Sequence, residues 1–173
     1  MARAPDQLTL AENRDRAGRH EVWYRRGGIA LLVAFLALAL ANLFGQRPAT
    51  SRAASTDASL KVYAPKRVRS GLIYQARFTI DAHRELKDAM LVLSPGWAEG
   101  ITINTIEPSP VGEASRDGKL VFDLGHIPAG DTYILFVQLQ VNPTNVGHRA
   151  QNVELRDGDT ALAFVKRSIT IFP

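Results

Sequence analysis

Eighteen consecutive residues from Gly27 to Phe44, GGIALLVAFLALALANLF, carry no charge and have Asn42 as their only strongly polar member. As a helix rising ~1.5 Å per residue the run is roughly 27 Å long, close to the hydrocarbon thickness of a bilayer. A buried core helix would require a helix apolar all round to find cover in a domain of the size left over, so a membrane span or a secretory signal is expected instead. Trp23 and Tyr24 precede the run, where amphipathic rings favour the headgroup level, and Arg25 and Arg26 close that end with positive charge. These four are the candidate membrane-interface residues. Arg14, Arg16, Arg19, Arg25 and Arg26 before the run outweigh Arg47, Arg52 and Lys61 after it, which places the N-terminus in the cytoplasm and the C-terminal part outside. Ala39-Leu40-Ala41 has the small-residue spacing of a signal-peptidase site, so a cleaved signal is the competing reading. A signal anchor fits better, because the run exceeds the usual h-region of ~7 to 15 residues and the segment before it is longer than a simple n-region.

This organisation divides the 173 residues into a basic tail over 1–26, a transmembrane helix over 27–44, a linker over 45–58 and one domain over 59–173. The tail alternates Arg14, Arg16 and Arg19 with Glu12, Asp15 and Glu21 and reads as a solvated, orienting segment. The linker combines Pro48 with Ala, Thr and Ser, a composition that buries too little surface to fold alone and predicts a flexible spacer.

Beyond the linker the hydrophobic period changes to two. In Leu72 to Asp81, Tyr74, Ala76, Phe78 and Ile80 fall on one face and Gln75, Arg77, Thr79 and Asp81 on the other, as in a strand with one wet side. Further strands are predicted at Leu60 to Tyr63, Leu86 to Leu93, Ile101 to Ile106, Lys119 to Leu124, Thr132 to Val141, Ala150 to Leu155 and Ala161 to Ile171. Thr132 to Val141 is apolar enough on both faces to be central. The last segment changes parity between Phe164 and Ile169, which predicts a bulge or bend near Lys166 to Ser168. Ser94-Pro95-Gly96, Asp117-Gly118, Ala129-Gly130, Asn142-Pro143 and Asp157-Gly158 punctuate the strands, and the two Asp-Gly pairs are the strongest hairpin signals. The expected fold is all-β, a sandwich of about seven to eight strands preceded by one transmembrane α-helix.

The order Leu93-Ser94-Pro95-Gly96, Ile101-Thr102-Ile103, then Leu124-Gly125-His126-Ile127-Pro128-Ala129-Gly130-Asp131 leading into Tyr133 to Val141 resembles the conserved repeat domain of unknown function in bacterial surface proteins. The likeness covers roughly Ser59 to Pro173. Where that family places an Asn-x-Gly turn this chain has Asp81-Ala82-His83-Arg84, and Ser94 stands where Asp is common. The resemblance implies an immunoglobulin-like sandwich, an extracytoplasmic location and a structural or binding role, and it implies no catalytic residues.

The residues themselves name no chemistry. The absence of cysteine removes disulfides, thiolate metal sites and thiol nucleophiles. His20, His83, His126 and His148 have no second ligand at local zinc spacing, and neither a nucleophile elbow nor a phosphate-binding glycine loop is present. Neither an enzyme nor a cofactor is expected. The net charge of +4 is split evenly between the first 26 residues and the rest, so no segment carries a nucleic-acid footprint, and no nucleotide partner is expected either. Lys66, Arg67 and Arg69 form the densest basic group of the domain, fitting either lipid headgroups or an anionic polymer, or else an edge strand protected by charge. Trp97 fits either an exposed recognition residue or a tryptophan capping the sandwich core. The expected partners are the bilayer and another membrane or envelope protein, with carbohydrate or anionic polymer as the alternative ligand.

Overall fold

A computed structural model of the chain describes residues 19–42 and 45–173. The tail before Arg19 and the last two residues of the apolar run lie outside them. Among the described residues the chain forms two units that divide after Leu43, a helix and a β domain.

The helix, α1, runs from Arg19 to Leu40, so it begins earlier and stops earlier than the 27–44 read from hydropathy. Trp23, Tyr24, Arg25 and Arg26 are helical, within the turns that precede the apolar run. The stop is local: the Ala41 N–H bonds Ala37 O at 2.9 Å, the Asn42 N–H bonds Ala39 O at 2.9 Å, and Asn42 takes a positive φ of 51°, a left-handed ending that asparagine tolerates. Ile29, Leu31, Leu32, Val33, Phe35 and Leu36 are all exposed. The helix is long and apolar enough to be a membrane span or a signal sequence.

The β domain contains thirteen strands among the described residues. In chain order they are β1 (Pro48–Ala54), β2 (Ala58–Pro65), β3 (Arg67–Arg69), β4 (Ile73–Ala82), β5 (Leu86–Leu93), β6 (Ile101–Glu107), β7 (Gly112–Arg116), β8 (Lys119–Ile127), β9 (Thr132–Val141), β10 (Gly147–Ala150), β11 (Val153–Asp157), β12 (Thr160–Val165) and β13 (Ser168–Phe172). A front sheet has the order β1-β2-β4-β9-β6, a back sheet β12-β11-β5-β8-β7, and a small corner sheet β10-β13-β3. The inward faces of the three build one core, with Leu60, Phe78, Ile80, Leu135 and Leu139 from the front, Leu91, Leu93, Phe122 and Leu155 from the back, and Val68, Ile169 and Ile171 from the corner. This is an immunoglobulin-like β-sandwich.

Its two main sheets follow from the alternation. In β4 the even residues from Tyr74 to Ala82 are buried, and β9 is central, between β4 and β6. The parity change in the last segment is a change of sheet: β12 belongs to the back sheet and β13 to the corner, with Lys166 and Arg167 between them. Ala150 to Leu155, read as one strand, is broken in the same way by Gln151 and Asn152.

The segment expected to be a flexible linker carries β1, which adds to the front sheet by pairing Pro48 with Pro65 through Ala54 with Ser59. Small residues that bury little by themselves become an edge strand when a neighbour supplies the hydrogen-bonding row.

At the end of the front sheet remote from Pro48, Asp81 accepts hydrogen bonds from Lys61 Nζ at 2.8 Å and from Ser59 Oγ and Thr132 Oγ1 at 2.9 Å each. These donors, Lys61 first, hold its carboxyl below the usual value of 3.8. A depressed carboxylate adds stability that is present above the unfolded pKa and is lost as pH falls through the folded one. Asp81→Asn is therefore expected to lower the midpoint of urea unfolding slightly at pH 7, with the gap to the parent closing below about pH 4, because exposed pairs contribute only about 1 kcal/mol or less.

Candidate interaction surface

Three strands leave the large sheets at neighbouring positions, and the corner they form is the most polar part of the interior. β2 ends at Pro65, β11 begins after Asn152, and β12 ends before Lys166. Breaks of this kind strand backbone groups that must find partners. Arg167 supplies several: its Nη2 donates to Pro65 O at 2.8 Å and Ala64 O at 3.4 Å, its backbone N–H donates to Asn152 Oδ1 at 3.2 Å, and its carbonyl accepts from the Gln151 N–H at 2.9 Å. The side chain is almost wholly buried, and the groups facing it are an aromatic ring and a phenol rather than a carboxylate. Its Cζ stands 4.9 Å from the centre of the Trp97 ring, a geometry in which the ring's negative face stabilises the cation. Burial pulls the Arg167 pKa down to about 10, with Tyr74 opposing, and the guanidinium stays charged at neutral pH. Tyr74 is itself pushed up to about 12 by burial and accepts a hydrogen bond from Gln151 Nε2 at 3.0 Å.

Trp97 belongs to this corner. It has no solvent exposure, its Nε1 donates to Asn152 O at 3.3 Å, and its ring meets Phe78 at 5.3 Å between centroids. Of the two readings from sequence, the core-capping one holds, and Trp97 is not a surface recognition residue. Tryptophan goes inside here because one polar N–H finds a freed carbonyl while the rest of the indole fills the gap between the sheets.

The other sequence-selected residues are exposed. Trp23, Tyr24, Arg25 and Arg26 occupy the first half of α1, with the Arg26 guanidinium 5.6 Å from the Trp23 ring centre. Lys66, Arg67 and Arg69 lie on or beside β3, at the free edge of the corner sheet, where the Arg69 Nε donates to Pro173 O at 3.2 Å. The structure keeps Trp97 apart from this group in character: one is core and the other is surface.

Sequence reading missed the outer face of the back sheet. Register aligns Phe164, Glu154, Val92, Val121 and Ala114 across all five strands, with Arg156, Met90 and Asp123 in the next row. Phe164 is 55% exposed, a large apolar side chain held out in water. Three shallow hollows of about 210 to 230 Å³ open on this face, lined by Phe164, Met90, Val92 and Val121 and bordered by Arg116, Lys119 and Arg156. The signal was present in sequence as the apolar outward positions of β5 and β8, but a half-exposed valine reads the same as a buried one until the partner strands are known. Among the described residues no three of His, Asp and Glu converge as a metal site would require.

No family model matches the chain, and no curated protein matches it. Among solved structures it is similar to a macrocyclization protein, AvmM of alchivemycin A biosynthesis, at 8% identity over 69% of this chain and 91% of that one, TM-score 0.46. It is similar to a non-cellulosomal cohesin from Archaeoglobus fulgidus at 16% identity, over 72% of this chain and 91% of that one, TM-score 0.42. It is also similar to the CaCohA2 domain of Clostridium acetobutylicum at 13% identity, over 68% and 92%, TM-score 0.46. At these values the fold assignment rests on the sheets of the chain itself.

Proposed function

We propose that this chain is a non-enzymatic, single-pass membrane protein of a bacterial envelope. In this reading α1 is an uncleaved anchor, the N-terminus is cytoplasmic, and the sandwich is held outside to bind another membrane or envelope protein. The observation that carries the reading is the outer face of the back sheet, where Phe164, Val92 and Val121 lie in one row, with Glu154 between Phe164 and Val92 and further charged residues around them. Exposed apolar side chains, an aromatic ring among them, set beside charged groups are what a protein interface uses. Strand pairing supplies a rigid platform for it, which keeps the cost of ordering low on binding. The alternative, a carbohydrate or anionic-polymer module, rested in part on an exposed tryptophan, and the buried Trp97 takes that support away.

A photocrosslinking residue placed at position 164 or 121 of the full chain in its own membranes tests the proposal. The expected result is one discrete adduct from these positions, none from position 61 on the front sheet, and loss of the adduct from position 121 when Phe164→Glu is added. The same variant should shift the thermal midpoint little, because Phe164 is a surface side chain. Adducts that form equally from both faces, or from neither, would overturn the reading.

A further inference from the structure

The even distribution of charge along the sequence hides a segregation in space. Residues 45–56, 58–80, 132–153 and 160–173 contain no aspartate or glutamate. The fold gathers their ends at one pole of the β domain, where Pro48 pairs with Pro65, Val68 with Ile171, and Ile171 with Gly147. Lys66, Arg67, Arg69 and His148 collect there, the Lys66 carbonyl accepting from the Thr170 N–H at 2.9 Å and Arg67 and His148 both pairing with Thr170. His148, Thr170 and Arg67 form a single row across the corner sheet. Glu99, which borders the pole, is held by Arg149 at 3.7 Å. Asp57, Asp81, Glu85 and Asp131 lie around the opposite pole, where Ala58 pairs with Ala82 and the Ala82 N–H bonds Asp131 O, and the first three are paired there with Arg84, Lys61 and His126.

Exposed apolar side chains lie at the same end of the domain as the basic group. Leu72 and Ile73, at the turn from β3 into β4, are 44% and 49% exposed, and Val146, in the loop after β9, is 46% exposed. Backbone bonds join these segments: Gly71 N–H to Val141 O at 3.1 Å and Val141 N–H to Leu72 O at 3.0 Å. Aliphatic side chains ringed by lysine and arginine are what an anionic interface recruits, the cations reaching phosphates while the apolar tips enter the headgroup layer. The chain also enters the β domain at this pole, and residues 41–47 are all that separate Leu40 from Pro48, a covalent reach of at most about 25 to 30 Å.

We propose that this basic pole, Lys66, Arg67 and Arg69 with the exposed Leu72, Ile73 and Val146 at the same end of the domain, docks onto the headgroups of an anionic phospholipid bilayer. The inference goes beyond the protein-binding reading, uses a different surface, and rests on the anchor part of it. Docking here leaves the back-sheet face free for a partner.

The chain has no cysteine, so a single fluorophore can be placed by Leu72→Cys, with Ala129→Cys at the opposite pole as control. The full-length labelled protein is reconstituted into nanodiscs of phosphatidylcholine alone or of phosphatidylcholine with phosphatidylglycerol. Co-elution with the phosphatidylcholine discs reports the anchor; if the chain does not co-elute, the anchor reading fails and docking with it. Docking is read separately, as loss of iodide quenching at position 72 in the phosphatidylglycerol discs, with position 129 unchanged in both. High salt should restore quenching by screening. Each of Lys66→Gln, Arg67→Gln and Arg69→Gln should lower the docked-to-free ratio by roughly fivefold. Equal quenching in the two lipids, or a response that survives the triple glutamine variant, would overturn the proposal. So would the same protection on adding soluble dextran sulfate to phosphatidylcholine discs, which would assign the pole to a polymer instead.

Discussion

Replacing Trp97 by alanine is expected to cost the β domain about 3 to 5 kcal/mol, the range for removing a buried tryptophan. In thermal unfolding followed by far-UV circular dichroism on the full chain in detergent, the midpoint should fall by about 10 °C or more. Three losses coincide. The indole leaves a cavity against Phe78, the Asn152 carbonyl loses the Nε1 donor, and Arg167 loses the ring that faces its buried charge. The last makes the site unusual, because truncating the partner of a buried cation leaves its desolvation uncompensated. Trp97→Phe keeps an aromatic face and part of the volume, and should fall roughly midway. If Trp97→Ala instead kept the parent midpoint, the side chain would not be the core element described, and a surface role would return.

The case of Trp97 shows where sequence reading stops. Its position after Pro95-Gly96 was plain, and both fates were compatible with it, because burial depends on Asn152 and Arg167, far along the chain and freed from strand pairing only by sheet changes. The strands read best were β4, β5 and β9, since period-two alternation is a local record of a sheet between core and water, while β8 was read three residues short of Ile127. The strands missed were edges. β1 and β7, Pro48–Ala54 and Gly112–Arg116, are paired along one side and mostly wet, so nothing selects large apolar residues in them. β3 is a three-residue extension beyond a kink at Lys66. The bend near Lys166 was legible as a parity change, but its meaning as a passage between sheets was not, because parity says that the buried face has changed and not which sheet buries it. The functional surface was harder still. Charge along the sequence averages to nothing notable, and only the pairing of Pro48 with Pro65 and Val68 with Ile171 brings the acid-free segments to one pole.

Gly96 offers the second large effect, and its reason differs from the one its turn suggests. Glycine after proline in a short turn is ordinarily explained by a positive φ, yet Gly96 is not among the positive-φ residues. It is glycine because of what lies against it. A Cβ there would collide with the Ala150 carbonyl oxygen and meet the Ala150 carbonyl carbon at 3.1 Å and Arg149 Cβ at 3.2 Å. That backbone has nowhere to move: Ser94 Oγ donates to the same Ala150 oxygen at 2.9 Å, and the Ser94 N–H donates to Asn152 O at 3.0 Å. Gly96→Ala must push β10 away from the Pro95–Trp97 turn, which unseats Trp97 at the same time. A loss of about 2 to 3 kcal/mol is expected, at the upper end of the overpacking range. Gly112→Ala in β7 is the control, with its nearest neighbour Asp123 Cβ at an ordinary 3.5 Å and no positive φ. That change should be neutral or stabilising by up to about 1 kcal/mol, through the smaller entropy of the unfolded chain. Urea midpoints of the two variants measured side by side decide the matter. Equal, mild effects would mean that the turn and β10 are free to separate, whereas a selective loss at Gly96 fixes the corner where β10, the Pro95–Trp97 turn and Arg167 meet as the place that holds the sandwich closed.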